Sequence, residues 1–435
     1  VDESQVPKVM ADRIQGPKGT NDLLPEASWR WQAVERVARE VARLYRYVEV
    51  RTPVFEHTEL FHRGVGESTD IVSKETFDLI TRGDTALTLR PEGTAPVVRA
   101  LLQAGLLDNQ NATAKVYYLA TPMLRYERPQ AGRLRQHHQF GCEAFGVASP
   151  EQDVELISLQ SDFYRRVGLR GVTLKLNTLG DGESKQRYAD ALRDFFGPKR
   201  DAISDESKRR LETNPLRILD SKDPRDVAAR EGVPANADFL SDRSREHFDR
   251  VCQLLDDAGI AYTLDDGLVR GLDYYTDTLW EFDGEGLGAQ SAVGGGGRYD
   301  NLVQTLGGKT VPGVGFGMGM ERLLLALEAQ GVELPSDDRP PVYVVAQGDA
   351  ARDAALALVR ELRAADVATE CDLSGRGAKA QFKLADRSGA ETVLVLGDRE
   401  LENGVVGVKT MSTGEQRDVP RESVVAQLRP ASSST

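Results

Sequence analysis

Cysteine is scarce in this 435-residue sequence: Cys142, Cys252 and Cys371 lie far apart, and no CxxC pair occurs. Zinc knuckles and disulfide frameworks need closely spaced cysteines, so neither is supported. Long apolar runs are missing too, because no stretch approaches the roughly 18 apolar residues of a membrane helix. The amino-terminal stretch lacks the apolar segment of a secretory signal. These absences predict a globular protein of a reducing, cytoplasmic compartment with no membrane partner.

Positive charge is in deficit, since 55 lysines and arginines face 68 aspartates and glutamates, for a net charge of −13. This balance argues against a protein that coats nucleic acid over its whole surface. Binding a nucleic acid needs only a local basic surface, however. Lys379, Lys383 and Arg387 follow one another at four-residue steps on a predicted helix and form such a stripe. A solvated helix face is the usual meaning of this pattern, and contact with a polyanion is the alternative.

The length of the chain suggests about three domains. Mixed helix and strand patterns fill residues 1–181 and 263–332, whereas 182–262 is charged, helical and free of strand alternation. This middle stretch therefore predicts an inserted helical module. A Pro/Asp-rich linker at 333–341 precedes a strand–helix alternation over 342–435, which predicts a small α/β domain ending in a disordered tail, ASSST.

The stretch RYERPQAGRLRQHHQFGCE, at 125–143, belongs to a predicted hairpin over 114–146. Side chains alternate faces along a strand, so one face of the second strand is polar and the other mostly apolar. The polar face carries His137, Gln139, Gly141 and Glu143, and the apolar face carries His138, Phe140, Cys142 and Ala144. A metal site is disfavoured, because the two histidines point in opposite directions and no ligand set converges.

On the first strand of this hairpin, Met123, Arg125 and Glu127 share a face. With Gly141 leaving room between Gln139 and Glu143, the pattern predicts the floor of a polar cavity that contains one arginine. The residues alone leave a solvent-exposed sheet face open as the alternative.

Two further segments carry candidate ligand-binding side chains. In TLRPEGTAP, at 88–96, Glu92 and Thr94 lie two residues apart on an extended segment and could bind an ammonium group. Thr94 could instead cap the helix that follows. In LVRGLDYYTDTLWEF, at 268–282, Arg270, Tyr274 and Tyr275 are predicted to lie on a short strand, for which spacing alone favours an aromatic core strand with a surface arginine.

Glycine occupies every second position of VPGVGFGMGMERLLLAL, at 313, 315, 317 and 319. One face of this predicted strand is therefore bare and could lie against a flat ligand or another backbone, and Arg322 follows it in a helix. A tightly packed sheet crossing is the alternative. Neither a P-loop nor a Rossmann turn is present: LGGKT, at 306–310, lacks the first glycine because position 303 is Val303, and the alternating glycines lack G-x-G-x-x-G spacing.

Taken together, these motifs resemble those of the histidyl-tRNA synthetase family, in class II of the aminoacyl-tRNA synthetases, over almost the whole chain. The stretch RYERPQAGRLRQHHQFGCEAFG resembles motif 2, GVGFGMGMERLLLAL motif 3, and RTPVFEHTELF, around Pro53, motif 1. LVRGLDYYTDTLWEF and GGGGRYDNL resemble the two histidine-specific signatures.

The resemblance implies an α+β fold with an antiparallel sheet as catalytic core, in two parts, 1–181 and 263–332. It implies that the insertion 182–262 lies near the tRNA acceptor arm, that the domain 342–435 binds the anticodon, and that motif 1 builds a homodimer.

The resemblance also implies roles for individual residues. Arg125 and Arg270 would hold the ATP α-phosphate, Arg270 as a catalytic cation, while Arg133 and Arg322 would contact the β- and γ-phosphates and Glu127 the adenine amino group. For histidine, the α-amino group would be bound by Glu92, Thr94 and Gln139, and the imidazole by Glu143 and Tyr275, with Tyr274 adjacent.

The implied reaction joins L-histidine to AMP and then passes the histidyl group to the terminal ribose of tRNA(His), with ATP as substrate and Mg²⁺ arriving through its phosphates. The attacking carboxylate is already ionised at pH 7, which explains the absence of a nucleophile–base dyad. A non-catalytic regulatory subunit of ATP phosphoribosyltransferase and a nucleotide-binding sensor are the competing interpretations. The domain at 342–430 and the intact stretch RGLDYY, at 270–275, argue against the first.

Overall fold

The computed structural model of the chain describes residues 14–66, 69–109, 111–130, 132–285, 291–335 and 341–429. The predicted tail and residues 336–340 of the predicted linker lie outside the described residues. The chain divides into two compact units, 1–334 and 335–435. The first unit includes the stretch 182–262, so the proposed bounds of a separate insertion stay a prediction.

An eight-stranded sheet forms the centre of the first unit, in the order β1-β5-β6-β11-β10-β9-β7-β8. Neighbouring strands are antiparallel except for the two edge pairs, β1 with β5 and β7 with β8. The strands are β1 (Val48–Glu49), β5 (Ala114–Leu124), β6 (Gln136–Phe145), β7 (Val172–Thr178), β8 (Tyr262–Leu264), β9 (Thr276–Gly284), β10 (Ala292–Arg298) and β11 (Gly313–Gly319). A separate three-stranded antiparallel sheet contains β2 (Phe55–His57), β3 (Phe77–Ile80) and β4 (Ala86–Leu89).

Helices connect the strands of these two sheets, and several of them pack on the large sheet. They are α1 (Pro25–Leu44), α2 (Thr58–Phe61), α3 (Asp70–Lys74), α4 (Thr94–Gln103), α5 (Pro150–Val167), α6 (Gly182–Phe196), α7 (Asp205–Thr213), α8 (Pro224–Ala229), α9 (Asp242–Asp257), α10 (Leu302–Thr305) and α11 (Met320–Ala329). The apolar stripe of α1, with Trp31, Val34 and Val41, packs in the same core as Phe140 and Cys142 of β6. This packing buries one face of the sheet and leaves the other face to line the candidate site.

The second unit has its own five-stranded sheet in the order β13-β12-β14-β15-β16. Its elements are β12 (Val342–Ala346), α12 (Asp349–Ala364), β13 (Thr369–Cys371), α13 (Ala378–Ser388), β14 (Thr392–Leu396), α14 (Asp398–Glu402), β15 (Val405–Thr410), β16 (Gln416–Pro420) and α15 (Val424–Leu428). The first three strands in the order are parallel and the last two join antiparallel, so the strand–helix alternation predicted from the sequence is present.

Across the described ranges of both units, no helix combines the length and the apolar character needed to span a bilayer.

Candidate active site

The second strand of the hairpin, β6, separates core from site by its alternation. Phe140, Cys142 and Ala144 are buried in the core beneath the sheet. Glu143 is also fully buried, but on the opposite face. Its neighbour on β11 is Gly315, and Gln139 is paired with Gly319 in the same ladder. The polar face of β6 therefore lies directly beside the bare face of β11.

Two hydroxyl groups converge on the Glu143 carboxylate. Thr94 Oγ1 donates to Oε1 at 2.8 Å, and the Tyr299 hydroxyl donates to Oε2. Burial raises the pKa of the Glu143 carboxyl group to about 8, against the opposing effect of these two hydrogen bonds. A buried carboxyl group with hydroxyl neighbours is well suited to bind a polar ring nitrogen.

Glycine is required on β11 for this arrangement. A Cβ atom built on Gly315 would overlap Glu143 Oε2 and would also come within 2.7 Å of the Tyr299 hydroxyl. A Cβ atom built on Gly317 would lie 3.5 Å from Tyr118 Oη and 3.7 Å from the Gln139 amide. Nothing lies within 4 Å of a Cβ atom built on Gly319. The alternate residues Val314, Phe316 and Met318 pack into the core. The bare strand face, the glycine floor, thus makes room for polar side chains of neighbouring elements at Gly315 and Gly317 and is open at Gly319.

Glu92 and Thr94 lie at the start of α4, and both are buried. The Glu92 carboxylate accepts from the backbone N–H groups of Thr94 at 2.7 Å and Ala95 at 2.8 Å. The alternative in which the Thr94 side chain caps the helix is wrong: Gly93 occupies the N-cap position, and no N-cap side chain bonds the helix. Glu92 satisfies the first N–H groups instead, which leaves the Thr94 hydroxyl to bind Glu143.

The segment with Arg270, Tyr274 and Tyr275 is not a strand, contrary to the sequence prediction. β9 begins only at Thr276, and its second residue, Asp277, has a φ of 42°, so the backbone is irregular where the strand starts. The segment is a loop whose tyrosine rings lie near each other, with centroids 4.8 Å apart. The Tyr299 ring lies 5.5 Å from that of Tyr274 and 6.4 Å from that of Tyr275, so the three tyrosines form one cluster, from which Tyr299 donates to Glu143.

Four arginines named from the sequence are each held by an acceptor. Arg125 Nε donates to the Pro91 carbonyl at 2.8 Å, Arg322 Nη1 donates to the Ala292 carbonyl at 2.8 Å, and Arg133 pairs with Glu127. Arg270 Nη1 lies 2.6 Å from Glu281 Oε2. A Cβ atom on Gly295, which pairs with Gly317, would come within 3.0 Å of Arg270 Nη1. The arginine that precedes the tyrosines therefore lies on the same face of the sheet as the glycine floor.

The two histidines of β6 have different environments. His138 Nδ1 lies 2.8 Å from Glu321 Oε1, and its ring packs edge-on against Trp31 at 5.0 Å. Burial, together with the charge of Arg125, lowers the pKa of His137 to about 3, so this ring is neutral. Within the described ranges, no three His, Cys, Asp or Glu side chains are grouped so that they could hold a metal ion.

Several side chains that lie at the site were not predicted from the sequence to have a role there. Tyr299 lies inside the stretch GGGGRYDNL but bonds Glu143, far away in the chain. Tyr118, on β5, places its hydroxyl group beside Gly317, and Glu281, on β9, pairs with Arg270. The glycines opposite them were the available signal, because a bare strand position invites a side chain from a neighbouring strand.

Comparison of the chain with known proteins shows the family to which it belongs. The model of a family described as histidyl-tRNA synthetase matches residues 19–323, and the model of an anticodon binding domain matches residues 341–430. A histidine–tRNA ligase of Streptococcus pneumoniae (strain JJA) is 49% identical over 412 residues, covering 95% of this chain and 96% of that protein. This chain belongs to the histidyl-tRNA synthetase family.

Solved structures of this histidyl-tRNA synthetase family are similar to the chain over most of its length. An apo histidyl-tRNA synthetase from S. aureus has a TM-score of 0.81 at 37% identity, with 96% of this chain and 100% of that chain covered. An ATP phosphoribosyltransferase regulatory subunit/histidyl-tRNA synthetase from Bacillus halodurans has a TM-score of 0.63 at 23% identity, over 90% of this chain and 100% of that chain, which shows the fold alone. The family and the class II fold expected from the sequence motifs are confirmed.

Proposed function

We propose that this member of the histidyl-tRNA synthetase family activates L-histidine with ATP, releasing pyrophosphate, and transfers the histidyl group to the 3′-terminal ribose of tRNA(His). The observation that carries the proposal is a change in the kind of polar group along the glycine floor. The buried carboxyl group of Glu143 lies beside Gly315, the Arg270 guanidinium lies on the same face near Gly295, and Arg322 follows just beyond Gly319. One strand face thus offers a hydrogen-bonding carboxyl group at one end and arginine cations towards the other.

Histidine fits the end of the floor that carries the Glu143 carboxyl group. Glu143 and Tyr275 would bind the imidazole, with Tyr274 adjacent, and a pocket built from such buried partners rejects ligands that leave them unpaired. Glu92, Thr94 and Gln139 would bind the α-amino group. Glu92 supports this role because it is buried at the start of α4, where each of its oxygens accepts one backbone N–H. A carboxylate offers about four acceptor sites, so room remains for an ammonium group.

ATP fits the cationic end. Arg125 and Arg270 would hold the α-phosphate, and Arg133 and Arg322 the β- and γ-phosphates, while Glu127 would accept from the adenine amino group. The planar guanidinium group matches phosphate oxygens in a bidentate manner. Glu281 supports the role of Arg270, since a fixed cation costs no reorganisation when charge develops at phosphorus. The histidine carboxylate attacks the α-phosphorus without a general base because it is ionised at pH 7.

Mg²⁺ would enter with the ATP phosphates as part of the substrate. Among the described residues, the acidic side chains of the candidate site form no group of three that could hold a metal ion, and Glu127 and Glu281 are each paired with an arginine. Mg²⁺ commonly binds through one or two carboxylates together with substrate phosphates, rather than in an all-protein cage. The side chains present are compatible with that mode.

The test is histidine-dependent ATP–pyrophosphate exchange, followed by charging of tRNA(His). Both activities are expected, and Glu143→Ala should weaken histidine activation far more than ATP binding. An equal loss for the two substrates would contradict the role of Glu143. ATP binding without exchange would favour a sensor, and absence of both would favour a regulatory paralogue.

A homodimer is the proposed assembly, supported by an uncovered apolar face of the three-stranded sheet. Phe55 and Leu79 point to this face and are 53% and 39% exposed. Large exposed apolar patches commonly mark interfaces, and a second copy would cover this one. Sedimentation should show a dimer that Phe55→Glu converts to monomers. A cytoplasmic location is proposed from the cysteines, which are all unpaired.

A further inference from the structure

One lysine outside the site reaches the loop that carries the two tyrosines. Lys185 lies near the start of α6, in the stretch predicted to be an insertion. Its Nζ donates to the Asp273 carbonyl at 2.7 Å and to the Tyr275 carbonyl at 3.2 Å. The ammonium group therefore bonds the main chain on both sides of Tyr274.

The loop depends on such side-chain contacts because it has no strand partner at this point. β9 begins after Tyr275, and Asp277 adopts a positive φ. The Asp273 N–H donates to the Val65 carbonyl at a long 3.3 Å, and Asn214 donates to the Asp273 carboxylate at 2.7 Å. Lys185 adds the hydrogen bonds to the carbonyl groups, which set the peptide planes immediately before Tyr274 and immediately after Tyr275.

A positive charge at this position is electrostatically unfavourable, so Lys185 is not explained by packing alone. Helix N-termini disfavour positive charge, and Lys185 lies close to the start of α6. Burial also lowers the pKa of Lys185, against the attraction of the Asp273 carboxylate. An apolar side chain of the same length would fill the space without either cost, but it could not hold two carbonyl groups.

The orientation of the loop matters because its rings form part of the pocket. Tyr274 and Tyr275 both lie within 6.4 Å of Tyr299, centroid to centroid, and Tyr299 donates to Glu143. A rotation of the peptide planes at 273–275 would move these rings relative to the carboxylate. The Glu143 pocket lies at the end of the glycine floor away from Arg322, so the effect should fall on histidine more than on ATP.

We propose that Lys185 is a positioning residue for histidine recognition, holding the Asp273–Tyr275 main chain so that the tyrosine rings face Glu143. The inference rests on the proposed function, because it assumes that this pocket takes histidine. It also gives the helical stretch that follows Asp181 a direct part in amino-acid selection.

The test compares Lys185→Met with Lys185→Arg and with Lys199→Met in pyrophosphate exchange. Lys199 is a matched control in the same helical stretch: its Nζ also donates to two carbonyl groups, those of Ala229 at 3.0 Å and Glu231 at 3.2 Å, away from the loop. Lys185→Met should lower kcat/KM for histidine about 10- to 100-fold, as expected for the removal of charge-assisted hydrogen bonds, and change the KM for ATP by less than about 3-fold. Lys185→Arg should recover most of the loss, and Lys199→Met should leave both parameters near wild type.

Three results would overturn the inference: equal effects on both substrates, histidine kinetics in Lys185→Met that match those of Lys199→Met, or no recovery in Lys185→Arg. Thermal unfolding of each variant shows whether it is folded. If Lys185→Met does not fold, Lys185→Gln replaces it and must show the same selective loss of histidine use. A wild-type protein without histidine-dependent exchange refutes the proposed function itself, whereas an active wild type with an indifferent Lys185→Met refutes only the role of Lys185.

Discussion

At the scale of single residues, protonation of Glu143, in the candidate histidine pocket, contributes to the stability of the folded protein. Its pKa is raised to about 8 by burial. The folded protein therefore keeps a proton on this group that the unfolded chain, with an ordinary carboxyl pKa, has released. The stability that this proton binding contributes is fully present below the unfolded pKa, and it is lost as the pH rises through about 8.

Glu143→Gln should remove that pH dependence because an amide does not titrate. Between about pH 5 and pH 8, the free energy of unfolding of the wild type should fall relative to that of the variant. Denaturant titrations at a series of pH values measure the difference. Glu246→Gln, at an exposed position of α9, is the control and should follow the wild-type curve. Parallel curves for wild type and Glu143→Gln would show that the carboxyl group is not protonated in the folded state.

Arg270 is the residue that we propose stabilises the charge developing in the transition state. It is held by Glu281 at 2.6 Å on the face that carries the glycine floor. Removing one preorganised donor typically costs about 10²- to 10³-fold in kcat. We expect Arg270→Ala to lower the rate of adenylate formation in this range with a modest change in the KM values, as measured by single-turnover kinetics. Arg270→Lys keeps the positive charge but loses the planar guanidinium group, so its rate of adenylate formation should lie between those of the wild type and Arg270→Ala. A large rise in KM at an unchanged rate would contradict the role.

At the scale of elements, we propose that the bare face of strand β11 is shared by the two ligands, histidine and ATP. At its centre, a side chain on Gly315 would displace Glu143, whereas at its end Gly319 has open space within 4 Å. Gly315→Ala should therefore raise the KM for histidine at least about 10-fold, because the carboxylate must leave its place. Gly319→Ala should spare histidine, and any loss should appear in the KM for ATP. Steady-state exchange assays with each substrate varied in turn separate the two effects.

The reverse pattern, in which Gly319→Ala damages histidine use and Gly315→Ala spares it, would mean that histidine binds at the Gly319 end of the strand and ATP at the Gly315 end. Gly319→Ala should keep the wild-type melting temperature to within a few degrees, whereas Gly315→Ala should lower it moderately, because its Cβ would also lie 2.7 Å from the Cys142 carbonyl oxygen. A collapse of Gly315→Ala alone would instead make Gly315 a packing residue of the β6–β11 crossing. That crossing is the alternative left open by the sequence.

Elements with strict alternation could be predicted from the sequence, and those held by distant side chains could not. Period two placed Glu143 and Cys142 on opposite faces of β6, which the structure shows. The loop at Arg270–Tyr275 was predicted as a strand because its aromatic residues favour strands, yet side chains from elsewhere hold its main chain. Tyr299 and Lys185 were missed for the same reason: their partners are about 90 to 156 residues away, and no local pattern encodes that distance.

At the scale of the whole molecule, an acidic protein must offer tRNA a local basic surface. Lys379, Lys383 and Arg387 are all exposed on α13, and the opposite side of that helix buries Gln381 and Ala385. No ion pair to these three cations is present among the described residues of the second unit. With a net charge of −13, cations without acidic partners are the groups best able to bind phosphate.

Reversing the stripe to glutamate at all three positions should weaken tRNA charging and leave histidine-dependent exchange unchanged, because the candidate active-site residues all belong to the first unit. The salt dependence of tRNA affinity should become shallower by about 0.7–0.9 in log–log slope for each phosphate that the variant no longer neutralises. The charge-matched control reverses Arg360, Arg417 and Arg429, which are exposed cations of the second unit away from α13. If the control and the stripe variant weaken tRNA binding equally, only net charge matters. If neither weakens it, the stripe is an ordinary solvated helix face, and tRNA binds this unit elsewhere.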